Sequence, residues 1–133
     1  MTEPTQGKET RALVFGSRTW TDRAAVWFAL SRLAPSVVIE GEAKGADTLA
    51  RQWAQFYRRH VEKFPADWTR DGRAAGPRRN IRMHKDGRPT IAIGFISGKR
   101  GEPYSRGSQH MHDVCGLGGT PCHVRRQDGW VIE

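Results

Sequence analysis

The stretch Ala12-Leu13-Val14-Phe15-Gly16-Ser17-Arg18 decides the fold: a short apolar run with no polar interruption, closed by a glycine and a basic turn. A run of this kind reads as a strand buried on both faces, and such strands belong to parallel sheets covered by helices. Two more glycine-bearing turns, Gly41-Glu42-Ala43-Lys44-Gly45-Ala46-Asp47 and Arg106-Gly107-Ser108, each lie between a strand-like run and a helix-like segment. Open parallel sheets bind ligands at the carboxyl ends of their strands. The three turns therefore read as one phosphate- or nucleotide-handling site assembled from separated loops.

Outward from the first strand, Thr21 or Asp22 can cap a helix carrying the stripe Val26, Ala29, Leu30 and Leu33, which Pro35 stops. Val37-Val38-Ile39 is a second buried strand. After Gly45, the positions Ala46, Leu49, Ala50, Trp53, Ala54 and Tyr57 follow helical spacing and form the clearest amphipathic helix of the chain. Val61, Lys63 and Phe64 indicate a third strand ended by Pro65, and residues 66–75 read as loop. Pro77 suits the first turn of a helix through Met83, and a fourth strand is expected over Thr90-Ile91-Ala92-Ile93-Gly94-Phe95-Ile96. Residues 97–106 read as a mobile loop, with Ser108 as the cap of a short helix carrying Met111, Val114 and Cys115. Pro121 to Arg125 forms a fifth strand, and Asp128-Gly129 signals a hairpin into Trp130-Val131-Ile132. The alternation predicts an α/β, Rossmann-like three-layer sandwich: a mainly parallel sheet of about five strands, with an antiparallel edge strand at the carboxyl end.

A chain of 133 residues suffices for one compact domain, expected over residues 11–133 after a disordered polar leader of residues 1–10. The 22 Lys and Arg against 14 Asp and Glu give a formal charge of +8, which favours anionic partners. Arg70, Arg73, Arg78, Arg79, Arg82, Lys85 and Arg88 concentrate that charge in one segment. Cys115 and Cys122 are too few for a disulfide framework and form no CxxC pair, so a cytoplasmic protein with structural thiols is expected. No apolar run is long enough to span a bilayer, and no membrane partner is expected. The pattern requires no cofactor. His110 and His112 point to different helix faces and lack further ligands at metal spacing, so no metal site is assigned.

Taken in order, Val14-Phe-Gly-Ser-Arg18, Gly41-x-x-x-Gly45-Ala-Asp47, Ala66-Asp-Trp68, Gly76-Pro-Arg-Arg-Asn80-x-x-Met83 and Gly107-Ser-x-x-Met111 resemble the YspA-type, YpsA-related branch of the SLOG superfamily. The resemblance runs from about residue 12 to about residue 125. It implies a Rossmann-like domain that binds a nucleotide or a nucleotide-derived ligand; the superfamily also includes the LOG phosphoribohydrolases and the DNA-binding DprA proteins. LOG enzymes carry a catalytic glutamate in the motif Gly-Gly-x-Gly-Thr-x-x-Glu, and the aligned position here is Met111, which cannot act as acid or base. The stretch Lys99 to Arg106 looks like an insertion where that family's glycine-rich turn is short.

The candidate ligand-binding residues follow from chemistry and from this resemblance. Gly16, Ser17 and Arg18 offer bare N–H groups, a hydroxyl and a planar guanidinium to a phosphate. Gly41, Gly45 and Ala46 let the backbone come close to a ligand, with Asp47 or Glu40 orienting a ribose hydroxyl and Asp47 alternatively anchoring the loop or capping its helix. Arg79 and Asn80 suit a phosphate beside a sugar or base edge, and Trp68 can stack on a base. Gly107 and Ser108 start a helix, a natural anion site. Three readings stay open at this point. The first is binding of a signal nucleotide, sensed or sequestered without turnover, with Arg79→Ala weakening it and leaving the fold intact. The second is a LOG-type nucleotide N-glycosidase using Glu40, Glu42 or Asp47. The third is nucleic-acid binding through the basic segment of residues 70–88. Five tryptophans in so short a chain leave aromatic surface for a partner, and a homodimer or higher homo-oligomer is expected.

Overall fold

A computed structural model of the protein describes residues 9–132; residues 1–8 of the expected leader lie outside the described residues. Thr10, at the end of that leader, is tied down: its carbonyl accepts from the amides of Ser36 and Val37.

The element order is β1 (Arg11–Gly16), α1 (Arg23–Leu33), β2 (Val37–Glu40), α2 (Ala46–Phe56), β3 (His60–Lys63), α3 (Trp68–Asp71), a 3-10 turn (Gly72–Ala74), α4 (Ala75–Gly87), β4 (Ile91–Phe95), α5 (Arg106–Leu117), β5 (Cys122–Arg126) and β6 (Gly129–Trp130). One six-stranded sheet has the order β3-β2-β1-β4-β5-β6. Neighbouring strands are parallel except for β6, which runs antiparallel to β5. This is the expected Rossmann-like α/β sandwich with an antiparallel carboxyl-terminal edge.

The period-2 geometry of β1 divides the core. Val14 faces α1 and α2 together with Val38, Ile93, Phe95, Leu30 and Trp53. Leu13 and Phe15 face the other way, toward Ile39, Met83 of α4 and Met111 and Cys115 of α5. Both faces of the strand are thus covered, which is why its sequence is apolar without alternation. The order of strands reverses between β2 and β4 on either side of β1, and such a point opens a crevice at the carboxyl ends of the strands.

Helix ends account for the main differences from expectation. Residues 66–75, expected as loop, hold α3 because the Asp67 side chain accepts from the Arg70 amide and caps a single turn. The helix expected from Pro77 through Met83 runs instead from Ala75 to Gly87 and stops where Arg88 turns left-handed (φ 48°) before Pro89. Ser108 is not the cap of α5. Ser105 is, its Oγ accepting from the Ser108 amide at 3.4 Å, so Gly107 and Ser108 lie inside the first turn. For α1, Asp22 rather than Thr21 is the cap, accepting from the Ala25 amide at 3.0 Å.

Candidate functional site

A cavity of about 720 Å³ opens at the carboxyl ends of β1 and β4, between α4 and α5. Its floor is apolar, made by Phe15, Met83 and Met111. Its walls are cationic and hydrogen-bonding: Arg18, Arg73, Arg79 and Arg106 all line it, and Asp47 is the carboxylate among its lining residues.

The β1 loop enters the cavity through Gly16, Ser17 and Arg18, the third of these bringing a guanidinium. A Cβ on Gly16 would collide with the Phe95 carbonyl, so only glycine lets β1 turn this close to β4. The Ser17 amide donates to the Phe95 carbonyl, and the Ser17 Oγ accepts from the Ser97 amide at 2.9 Å. Thr19 and Ser97 share a hydrogen bond at 2.8 Å. The loops after β1 and β4 are therefore fastened together as one rim.

From the opposite side, α5 presents its first turn through Arg106, Gly107 and Ser108. The amides of a first helical turn have no intrahelical acceptor; the Ser105 cap takes that of Ser108, and those of Arg106 and Gly107 are left where the helix dipole favours an anion. Trp68, half-exposed on α3, stands at the cavity wall with Gly76 close to its ring.

Two of the expected binders have structural duties as well. The Arg79 guanidinium donates from Nη1 to the Gly41 carbonyl at 2.5 Å and to the Phe64 carbonyl at 3.5 Å, and from Nε to Asn80 Oδ1 at 3.1 Å. Burial lowers its affinity for a proton, and the nearby Asp47 opposes that shift. Asn80 is buried and donates from Nδ2 to the Gly107 carbonyl and to His110 Nδ1, joining α4 to α5. Arg79 thus clamps the loop after β2 and also lines the cavity.

The loop after β2 stays largely behind the wall. Gly41, Gly45 and Ala46 do not line the cavity, whereas Ala43 and Asp47 do. Gly45 has φ +81°, and a Cβ there would strike the Ser17 carbonyl; its role is to let the two loops pass each other. Asp47 Oδ2 accepts from the Gly41 and Ala43 amides at 3.0 and 3.2 Å, which is the loop-anchoring role. Burial pushes its carboxyl up to about 6 despite those hydrogen bonds.

Glu40 points away from the cavity. It is fully buried, its Oε1 accepts from the Glu42 amide at 2.6 Å, and its Oε2 lies 3.7 Å from Arg51 with no hydrogen bond. Burial is the main cause that raises this carboxyl to about 7, with Asp47 adding to the rise. Unfolded carboxyls titrate near about 4, so between about pH 4 and 7 the folded chain keeps a proton that the unfolded chain has lost. The stabilisation is full below that window and is lost as pH rises through it. Glu40→Gln is expected to flatten the fall of melting temperature between about pH 5 and 8 and to raise stability at the alkaline end by on the order of 2 kcal/mol. Parallel melts of the two proteins check this, and identical pH slopes would contradict it.

Of the basic segment, Arg73 and Arg79 reach the cavity. Arg70 and Arg78 pair with Asp71, and Arg82 donates to the Pro65 carbonyl. Sequence reasoning placed Arg106 in one of the three turns of the site but missed Ser97, Ser105 and His110 as lining residues; the Ser105 cap is the signal that could have moved the helix start, and with it Ser105, into the site. Among the described residues no group of three His, Cys, Asp or Glu side chains could hold a metal ion, and no helix is long and apolar enough to cross a membrane.

A second groove, of about 660 Å³, lies on the α1 side of the sheet among Phe28, Leu33, Ile91, Trp130 and Ile132. Its polar side chains are Arg32 and His123, and no helix start opens into it. For an anion the first cavity is the better built.

Comparison with known proteins agrees with this architecture. A family model described as the YspA, cpYpsA-related SLOG family matches residues 10–70, from β1 to α3. The Gene 61 protein of Mycobacterium phage D29 is 36% identical over 121 residues, covering 84% of this chain and 92% of the phage protein. The X-ray structure of DNA processing protein A (DprA) from Streptococcus pneumoniae superposes with a TM-score of 0.54 at 15% identity, covering 89% of this chain. This chain spans 59% of that DprA chain, and the likeness is one of fold. With strand order, loop placement and these matches in agreement, the chain belongs to the YspA, cpYpsA-related SLOG family.

Proposed function

We propose that the protein binds a nucleotide or a nucleotide-derived signal ligand in the cavity at the carboxyl edge of the sheet, and senses or sequesters it rather than turning it over. The observation that carries this reading is the convergence of the Gly16 loop, the first turn of α5 and four arginines on one cavity with a single lining carboxylate. The phosphate of such a ligand lies against the first turn of α5 at Gly107 and Ser108, where the Gly107 amide is uncapped, and against the Ser17 hydroxyl and Arg18, with Arg79 in the same lining. A base stacks on Trp68, whose exposed ring is available to it. The apolar floor of Phe15, Met83 and Met111 accepts the sugar or base faces. Met111, aligned with the LOG glutamate, is buried and brings no acid or base to this floor, which favours binding over turnover.

A thermal-shift panel of AMP, ADP-ribose, NAD and cyclic di- and trinucleotides tests the proposal. A ligand at 100 times its Kd contributes about 2.7 kcal/mol, so a true ligand raises the melting temperature by several degrees. No shift with any member would remove the idea.

The N-glycosidase reading keeps one supporting observation. Asp47 reaches the cavity with its carboxyl held at about 6, a value suited to proton transfer near neutral pH. Release of free base from a nucleoside monophosphate, abolished in Asp47→Asn, would promote it. A homodimer is the companion reading, supported by the exposed Phe28 and Ile132 beside the apolar groove on the α1 side.

A further inference from the structure

We propose that His110 is a second anion-recognition residue of this cavity, held by a relay from Arg79 through Asn80 as the imidazole tautomer with its proton on Nε2. The inference rests on the ligand-binding reading above and names a group in that site which neither the sequence motifs nor the family match assigns.

The relay is fixed by which groups can only donate and which can only accept. An arginine Nε–H can only donate, so the Asn80 atom 3.1 Å from it must be the amide oxygen. The amide nitrogen then faces the Gly107 carbonyl at 3.4 Å, and a carbonyl can only accept, so this second contact independently gives the same orientation. The remaining Asn80 N–H meets His110 Nδ1 at 3.1 Å. A nitrogen that faces an amide N–H must accept, and a neutral imidazole that accepts at Nδ1 carries its proton at Nε2.

The fold converts this tautomer into a recognition element. His110 sits one turn into α5, and it lines the same cavity as Arg106, Gly107 and Ser108 of that helix. Its Nε2–H has no protein acceptor among the hydrogen bonds of the described residues. The Ser105 cap takes the Ser108 amide, so a phosphate oxygen at the start of α5 would receive the backbone N–H groups of Arg106 and Gly107 and the imidazole N–H together. Such a neutral donor favours an anion without adding to the repulsion among the four lining arginines. The relay also explains why Asn80 is buried between two helices, because its amide uses Oδ1 and both N–H bonds on three partners.

The test is nitrogen-15 spectroscopy of the imidazole rings at about pH 8, where imidazoles are neutral, with inorganic pyrophosphate as the probe. His110 is expected to show a protonated Nε2 and an unprotonated Nδ1, and Asn80→Asp is expected to reverse the pattern, since a carboxylate can only accept from Nδ1. Added pyrophosphate should shift the Nε2–H resonance together with the Gly107 amide, and His110→Phe should weaken pyrophosphate about fivefold. A proton on Nδ1 in the unaltered protein would overturn the inference. So would a Gly107 amide that responds to pyrophosphate while the His110 ring does not, which would leave the pocket reading standing. If neither responds, the phosphate site and this inference fall together.

Discussion

Arg126→Met is expected to lower the free energy of unfolding by on the order of 3–5 kcal/mol, a large fraction of the 5–15 kcal/mol typical of a domain. Arg126 is 1% exposed, yet among the described residues no carboxylate is in hydrogen-bond contact with its guanidinium. It donates instead to three carbonyls of the loop after β4: Ile96 at 3.1 Å, Ser97 at 2.8 Å and Glu102 at 2.9 Å. The Tyr104 ring lies 5.0 Å from the guanidinium carbon and adds a cation–π contact. Methionine keeps an apolar stem of similar reach and removes every donor. An unsatisfied buried group costs about 1–3 kcal/mol, and relaxation of the loop toward water keeps the sum at the lower end of three such losses. The same loop supplies Ser97 and Ser105 to the cavity, so ligand affinity should fall with stability. Arg126→Lys should recover only part, since an ammonium lacks the planar fork that spans three acceptors. Urea titrations of the three proteins provide the comparison, and a loss below about 1 kcal/mol would show that the guanidinium does not organise this loop.

Arg79→Ala is expected to weaken the best ligand about tenfold or more and, at the same time, to cost on the order of 2–3 kcal/mol of stability. The second half revises the expectation from sequence that this substitution would spare the fold. Arg79 holds the Gly41 and Phe64 carbonyls, so its removal frees the loop after β2 from α4. It also takes away the donor that orients Asn80. Arg70→Ala serves as the control, since Arg70 lies outside the cavity and pairs with Asp67 and Asp71. Calorimetric titration together with denaturant melts separates the two effects. Unchanged affinity in Arg79→Ala would move the phosphate site elsewhere, and unchanged stability would deny the clamp.

The sheet was readable because β1, β2 and β4 are apolar without alternation and α2 carries an unbroken stripe; local pattern and tertiary burial agree in those segments. The gathering of the Gly16 and Gly107 turns at one edge follows from parallel topology alone. What could not be read was the direction in which polar side chains turn. Glu40 ends a strand at the ligand edge, as a ribose-binding carboxylate would, but its side chain swings toward Arg51 of α2. Ser105 and Ser108 are equally good caps by type, and only the path of the loop from Lys99 selects the first. Arg126 near a polar turn looks solvent-exposed in sequence, because its three acceptors are backbone carbonyls up to 30 residues away. Asn80 and His110 carry no motif that announces a shared hydrogen bond, since their partnership spans two helices 30 residues apart.

The proposed function requires a phosphate-bearing ligand to lie between the β1 loop and the start of α5. The most direct measurement is the response of backbone amide resonances to AMP and ADP-ribose in the intact protein. The largest shifts are expected on Gly16, Ser17, Gly107 and Ser108, with the Trp68 indole following and the residues around Phe28 and Trp130 unmoved. Shifts centred on the Phe28 and Trp130 groove, or on the exposed face of Arg70 and Arg78 with the Gly16 and Gly107 amides silent, would contradict it.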